Sequence, residues 1–283
     1  MLEIRLGTLT LRIAGHGDLG DLERQYEPHL VTGAIDPDGV VEVRIDRTLA
    51  HHPSADSLSP LRAWSVTGSS LKITAEMWEA TVALTPGGAT HVVMRAWGAW
   101  EFDLLMGCLL QVMGPVYGLG LVVHGSAVVR DGRGYVFFAP SETGKSTVAE
   151  LSRQRGYSVL AEEMSFIGLP TDGNGPTVHR LPLRERNEVR CEGSLSAPLC
   201  GLYRLVQSPD DRIEPLDRRR SILELAGAAA IGARAPLVMD AALGSIVSLL
   251  GFIEPSRLHF TRSPRFWDVI DAVETKRTGV DFP

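Results

Sequence analysis

Nine consecutive residues, Ala139, Pro140, Ser141, Glu142, Thr143, Gly144, Lys145, Ser146 and Thr147, have the types and spacing for phosphate chemistry. They follow the pattern G-x-x-x-x-G-K-[ST] of a phosphate-binding loop (Walker A motif), except that alanine stands first. Gly144 lets the backbone come close to phosphate oxygens, Lys145 brings a point charge, and Ser146 offers a hydroxyl to Mg²⁺. A helix starting there adds free N–H groups. The first position serves mainly the turn, and alanine is the smallest replacement for glycine. The segment therefore reads as a nucleotide site, the plainer alternative being an ordinary strand-to-helix turn.

Two acids and a histidine come next. Glu162 and Glu163 follow the apolar run "YSVLA". Carboxylates at the carboxyl end of a parallel strand face the crevice where α/β proteins bind ligands. An adjacent pair can divide two tasks, one holding Mg²⁺ and one taking the proton of an attacking hydroxyl. A solvated strand end is the other reading. His124 interrupts the apolar strand "LVVHGSAVV". Such a residue is either catalytic or a satisfied core histidine, and the sequence leaves both open. Arg184, Arg186 and Arg190 are further phosphate candidates, otherwise a solvated loop. His51 and His52 are neighbours that a strand would point opposite ways, so they read as loop residues rather than metal ligands.

These residues need a scaffold. The pattern predicts an apolar helix from Glu101 to about Met113, then two strands around the hairpin turn "RDGRG". The second strand enters the loop, "GKSTVAELSRQRG" forms a helix closed by Gly156, and "YSVLAEEMSFI" is one strand. The order is a β-α-β unit with an antiparallel strand beside it. Asp217 can cap a helix over "RRRSILELAGAAAI", and helices are expected at 241–253 and 264–276. The first hundred residues read as strands ("EIRLGTLTLRI", "GVVEVRID", "SLKITAE", "EATVALT") around one helical segment with Leu19, Leu22, Tyr26 and Leu30 on a face. No catalytic constellation lies there. Residues 1–100 are expected to form a β-rich domain for acceptor docking or oligomer contact, and residues 101–283 the catalytic domain.

Composition narrows the classes. The 283 residues are 44% hydrophobic and 22% charged, with a net charge of −6 and mixed signs, which advertises no nucleic-acid surface. Cys108, Cys191 and Cys200 are far apart and form no C-x-x-C pair, as expected of free thiols in a reducing compartment. The first residues lack a signal-peptide apolar core. The runs "FDLLMGCLLQVMG" and "LGSIVSLLGFI" are too short to span a bilayer. The expectation is a cytoplasmic protein without membrane segments.

The segments "VVHGSAVV", "APSETGKST" and "LAEEMSFI" together resemble the catalytic core of the HPr kinase/phosphorylase superfamily. The likeness is to its shorter homologues from peptide-modification gene clusters, lasso-peptide kinases among them. The opening "IRLGTLTLRIAGHGDLGDLERQYEPHL" resembles their N-terminal segment. The resemblance implies an α/β fold, a P-loop kinase core of HPr kinase / PEP carboxykinase type preceded by a smaller β-rich α+β N-terminal domain. It implies ATP and Mg²⁺, with Ser141 to Thr147 around the phosphates and Ser146 at the metal; the residues by themselves add Lys145 on the β/γ-phosphates and Glu162 as the second metal candidate. Glu163 takes the place of the catalytic aspartate and His124 that of the active-site histidine. The implied acceptor is a hydroxyl, serine first, on a peptide or protein, and a homo-oligomer is compatible with it.

Two departures bear on activity. Ala139 replaces a glycine, and glutamates stand where the family has Asp-Asp or Asp-Glu. The longer arm moves a carboxylate by about one C–C bond, enough to cost rate unless the backbone compensates. Glu185 and Glu188 are candidates for the family's downstream glutamate. The rival readings are a small-molecule hydroxyl kinase and a nucleotide-binding pseudokinase or regulator.

Overall fold

The computed structural model describes residues 2–6, 9–16, 20–31, 40–46, 63–75, 78–85, 90–94, 99–170, 174–181, 194–231 and 234–278. His51, His52, Arg184, Glu185, Arg186, Glu188, Arg190 and Cys191 lie outside them. The architecture is mixed α/β. The chain divides into two compact units, Met1–Leu121 with Leu181–Arg186 and Ile231–Gly244, and Val122–Arg180 with Asn187–Ala230 and Ser245–Pro283. The sequence reading drew its border at residue 100, whereas the helix Ala99–Val116 groups with the first unit.

The first unit holds a seven-stranded mixed sheet. Its strands are β1 (Leu2–Leu6), β2 (Leu9–His16), β3 (Val40–Asp46), β4 (Ala63–Thr67), β5 (Ser70–Thr74), β6 (Trp78–Ala83) and β7 (Thr90–Met94). In space they run β1-β2-β3-β7-β6-β5-β4, with β2, β3 and β7 parallel and the rest antiparallel. The expected strand "EIRLGTLTLRI" is a hairpin of β1 and β2, and β4 and β7 were not foreseen. Period-two burial on β5 puts Leu71 and Ile73 inside and Lys72 outside. Helices α1 (Gly20–Tyr26) and α2 (Ala99–Val116) are joined by a buried hydrogen bond from the Tyr26 hydroxyl to the Asp103 carboxylate. On α2, Leu105, Met106, Leu109, Leu110, Val112 and Met113 are buried. No described helix is long and apolar enough to cross a membrane.

The second sheet has eight strands. They are β8 (Gly120–Arg130), β9 (Arg133–Phe138), β10 (Ser158–Ala161), β11 (Met164–Gly168), β12 (Thr177–Arg180), β13 (Ser196–Gln207), β14 (Arg212–Pro215) and β15 (Ser256–Phe260). With them go α3 (Lys145–Gln154), α4 (Arg218–Ala228) and α6 (Phe266–Thr278), while α5 (Pro236–Leu249) is divided, its residues up to Gly244 grouping with the first unit. The β8–β9 hairpin turns at Asp131 (φ 51°) and Gly132 (φ 73°), the two left-handed residues of a tight primed turn. Asp217 caps α4 by accepting from the Arg220 N–H at 2.9 Å.

The β-α-β unit forms with one strand inserted. Both β9 and β10 pair antiparallel to β8, so they run parallel to each other on either side of it. On the other side of β9, β13 and then β15 continue in parallel. Along β8 and β9 nearly every residue is buried, the near-continuous apolar run of a sheet covered on both faces. One face carries Val148 and Ala149 of α3 and Phe266, Trp267 and Ile270 of α6. The Trp267 indole N–H donates to the buried Ser152 hydroxyl at 3.0 Å, joining the two helices.

Candidate functional site

Strand direction gathers the site. Gly125 of β8 faces Phe138, the last residue of β9, and Ala127 faces Ala161, the last of β10. Both chains therefore leave the sheet at the His124 end of β8. A Cβ on Gly125 would lie 2.8 Å from the Phe137 carbonyl oxygen, so a side chain beside His124 would push β9 away. This explains the His-Gly pair: histidine for chemistry or packing, glycine for the close approach of the strand that enters the loop.

The loop itself spans Ala139 to Gly144. Ala139 is buried in the core cluster, and the described residues with positive φ include Glu142 (64°) but not Ala139. The first position thus needs no glycine backbone, and its methyl group packs. Gly144 does need to be glycine: its φ is 108°, and a Cβ would come within 2.6 Å of the Phe260 ring. The Thr143 hydroxyl donates to the Pro140 carbonyl at 2.9 Å, and the Gln207 amide donates to the Glu142 carbonyl at 3.3 Å. Pro140 and Ser141 are exposed, as are Glu142 and Ser146, while Thr147 is half-buried on the first turn of α3.

Lys145 is 7% exposed, and its ammonium donates to the Ala139 and Pro140 carbonyls at 3.0 and 2.9 Å. Burial lowers its pKa; Glu163 opposes this and Arg204 adds to it. Burial likewise lowers the pKa of His124, the Lys145 charge lowers it further, and Glu163 pulls it back. His124, Lys145 and Glu163 thus feel one another's charge at the mouth of the loop. The net direction favours the uncharged form of the histidine.

The acids part company. The run expected to be one strand is two, β10 and β11, with Glu162 and Glu163 in the bend between them. Glu162 is 5% exposed and accepts a hydrogen bond from the Arg153 guanidinium of α3. Glu163 is half-buried and belongs electrostatically to Lys145 and His124. Among the described residues no three His, Cys, Asp or Glu side chains form a metal-binding group. Mg²⁺ at a phosphate site takes most of its ligands from water and phosphate, so Ser146 and one carboxylate suffice for it.

A cleft of about 180 Å³ adjoins the loop. Gly144 and Thr147 line it from the loop and α3, Gln207 and Ser208 from the end of β13, and Phe260, Thr261 and Arg262 from the end of β15. Sequence reading missed this wall, because strand ends carry no motif. It also missed Arg204, whose one signal is a charge within the apolar strand "GLYRLV"; its Nε donates to Glu224 at 3.0 Å.

The segment holding all these residues, 104–273, matches the family model described as SynChlorMet cassette protein ScmC, over more than half of the chain. The chain belongs to the ScmC family. Among solved structures, the chain is similar to the Hpr(Ser) kinase/phosphatase from Coxiella burnetii at 10% identity. That match covers 56% of this chain and 97% of the other, with a TM-score of 0.30. No curated protein matches it.

Proposed function

We propose that this protein is an ATP-dependent kinase that transfers a phosphoryl group to a hydroxyl, serine first, of a peptide or protein. The observation that carries this reading is the meeting of a neutral histidine, a buried lysine and a carboxylate at the mouth of a glycine-hinged strand-to-helix loop. Phosphoryl transfer asks a protein mainly for positioning and charge neutralisation. Lys145, now held by two carbonyls, turns to the β- and γ-phosphates, and the loop N–H groups cradle them. Glu163 takes the acceptor proton, with His124 beside it as a neutral hydrogen-bonding partner. Mg²⁺, held by Ser146 and by a carboxylate oxygen of Glu162 or Glu163, would supply charge neutralisation on the phosphates. The family model is described as a cassette protein, and a peptide encoded nearby is the acceptor we propose.

The first unit offers a place for such a peptide. β1 has its outer side bridged by Leu30 and Val31, whereas β4, among the described strands, has β5 alone as neighbour. Trp64 and Val66 stand exposed on that edge, and an extended peptide adds readily to such a strand. Trp64→Ser with Val66→Ser should raise KM for a peptide and leave kcat alone; unchanged KM removes this docking role.

The direct test uses ATP, Mg²⁺ and a library of serine-containing peptides. Wild type should melt higher with ATP–Mg²⁺, by an amount equivalent to about 2.7 kcal/mol at a hundred times Kd, and Lys145→Ala should lose most of that gain. Glu163→Gln should keep the gain but lose about 10²- to 10⁴-fold in transfer, the usual worth of a general base. One observation favours a second reading, a nucleotide-binding regulator without transfer: the Glu162 carboxylate is engaged by Arg153. Wild-type binding of ATP with no phosphopeptide from the library would select it.

A further inference from the structure

The cleft beside the loop has a definite place in the fold. β9, β13 and β15 are parallel neighbours, and their carboxyl ends are the side on which such sheets bind ligands. Among the described residues, the cleft's lining comes from the ends of β13 and β15 and from the loop and helix that follow β9. Gln207 of β13 faces Phe260 of β15, and the Ser208 N–H donates to the Phe260 carbonyl at 3.1 Å, so the two strand ends form one wall. None of His124, Lys145 and Glu163 lines the cleft. A polyphosphate in the loop therefore has the reacting groups near one end and, past Gly144 and Thr147, an open cleft near the other.

The chemistry of the wall selects an occupant. At about 180 Å³ the cleft is smaller than sites that enclose a whole drug-sized ligand, and it suits one ring system with part of a sugar. The Phe260 ring supplies an apolar floor, nearly fully buried under Gly144. Arg262 is exposed at the rim, and a guanidinium stacks well on a flat heteroaromatic ring. The polar groups are already fixed. The Thr261 N–H and hydroxyl both donate to Asp211, at 2.6 and 3.2 Å, and Gln207 is held by the loop carbonyl of Glu142. With one N–H spent on the loop, Gln207 keeps a second N–H and its amide oxygen, fixed beside the apolar floor, for a ring bearing its own donors and acceptors.

We infer that this cleft seats the base and part of the ribose of the nucleoside triphosphate whose phosphates occupy the loop. The inference rests on the phosphate reading of the loop and adds to it the residues that distinguish a nucleotide from bare polyphosphate.

Calorimetry with two probes, ATP–Mg²⁺ and inorganic tripolyphosphate–Mg²⁺, separates the two claims. Wild type should bind ATP at least about tenfold more tightly than tripolyphosphate, the scale of one well-stacked base. Ser208→Trp, which fills the cleft, and Arg262→Ala, which removes the rim cation, should each weaken ATP several-fold and leave tripolyphosphate unchanged. Retained tripolyphosphate binding also shows that the variant is folded. If wild type binds both probes equally, or Arg262→Ala and Ser208→Trp bind ATP as wild type does, the nucleoside site is wrong while the phosphate loop stands. If Ser208→Trp loses both probes, Arg262→Ala decides, and unchanged ATP affinity there overturns the inference. If wild type binds neither, the phosphate reading falls, and this inference with it.

Discussion

β8 ends in a buried cation environment on each side, and the two are built differently. At its carboxyl end Arg130 is 4% exposed and fully answered: it pairs with Asp271 and with Glu274 at 3.0 Å, and it donates to the Tyr135 hydroxyl at 3.2 Å. Its guanidinium carbon also lies 5.0–5.8 Å from the ring centroids of Tyr135, Tyr157 and Trp267. At the other end Lys145, nearly as buried, is held by two neutral carbonyls, and burial lowers its pKa. A cation closed by carboxylates and aromatic rings has nothing left to bind. A cation held by carbonyl dipoles, with the Glu163 carboxylate acting on its charge, can exchange those carbonyls for a phosphate. The contrast separates a charge closed within the architecture from one that the proposed function assigns to a ligand.

Arg130→Ala is the change with the largest expected effect on stability. Removing Arg130 leaves the nearly buried Glu274 with Arg133, at 3.7 Å, as a remaining ion pair, and breaking a buried network in this way costs about 3–5 kcal/mol. Denaturant melting should show it, with ATP–Mg²⁺ still stabilising whatever protein remains folded. A loss below about 1 kcal/mol would mean that the rings, not the charges, hold α6 to the hairpin.

A third buried base gives the scale for uncompensated charge. His179 on β12 has its Nε2 buried without a partner among the described residues, and burial lowers its pKa to about 4. In the unfolded chain histidine titrates near 6.5. Between those values the unfolded state holds more protons, so stability is complete above about pH 6.5 and falls as pH drops toward 4. The full loss is on the order of 2–3 kcal/mol, the size expected of such a shift in a half-buried group. His179→Phe should flatten that slope. An unaltered slope would move the acid sensitivity to another group, His124 being the next candidate, since its pKa is lowered in the same sense.

The parts legible in the sequence are the local ones. Asp131-Gly132 marks the hairpin, period and length mark β9 and α3, and Asp217 marks the start of α4, because each depends on residues within a turn or two. What could not be read was set by distant partners. The bend at Glu162-Glu163 arises because the chain leaves β10, at the edge beside β8, and returns as β11, which lies between β8 and β12. The apolar run shows no break there. The cleft depends on β13 and β15 lying parallel to β9, and the residues that line it were ordinary polar side chains until the sheet brought their strand ends together. Ala139 was legible in part: its size was read as tolerable, and the structure adds that its backbone does not need glycine and its methyl is buried.

Lys145→Met should have the smallest effect on stability and sharpens the comparison most. The lysine pKa is depressed, so the unfolded chain binds its proton more tightly than the folded one does. At every pH below the folded value the buried ammonium therefore subtracts from stability, an amount regained only as pH rises toward the ordinary lysine range. Methionine keeps the length and apolar stem, removes that penalty, and leaves two loop carbonyls to find water or other donors. The two effects oppose, and the net change in ligand-free stability should stay within about 1 kcal/mol of zero. The stabilisation by ATP–Mg²⁺ should disappear in the same variant. A site that costs the fold and serves a ligand behaves this way. Should Lys145→Met instead unfold the protein as readily as Arg130→Ala, the lysine is a structural pin for the loop, and the distinction between the two ends of β8 is lost.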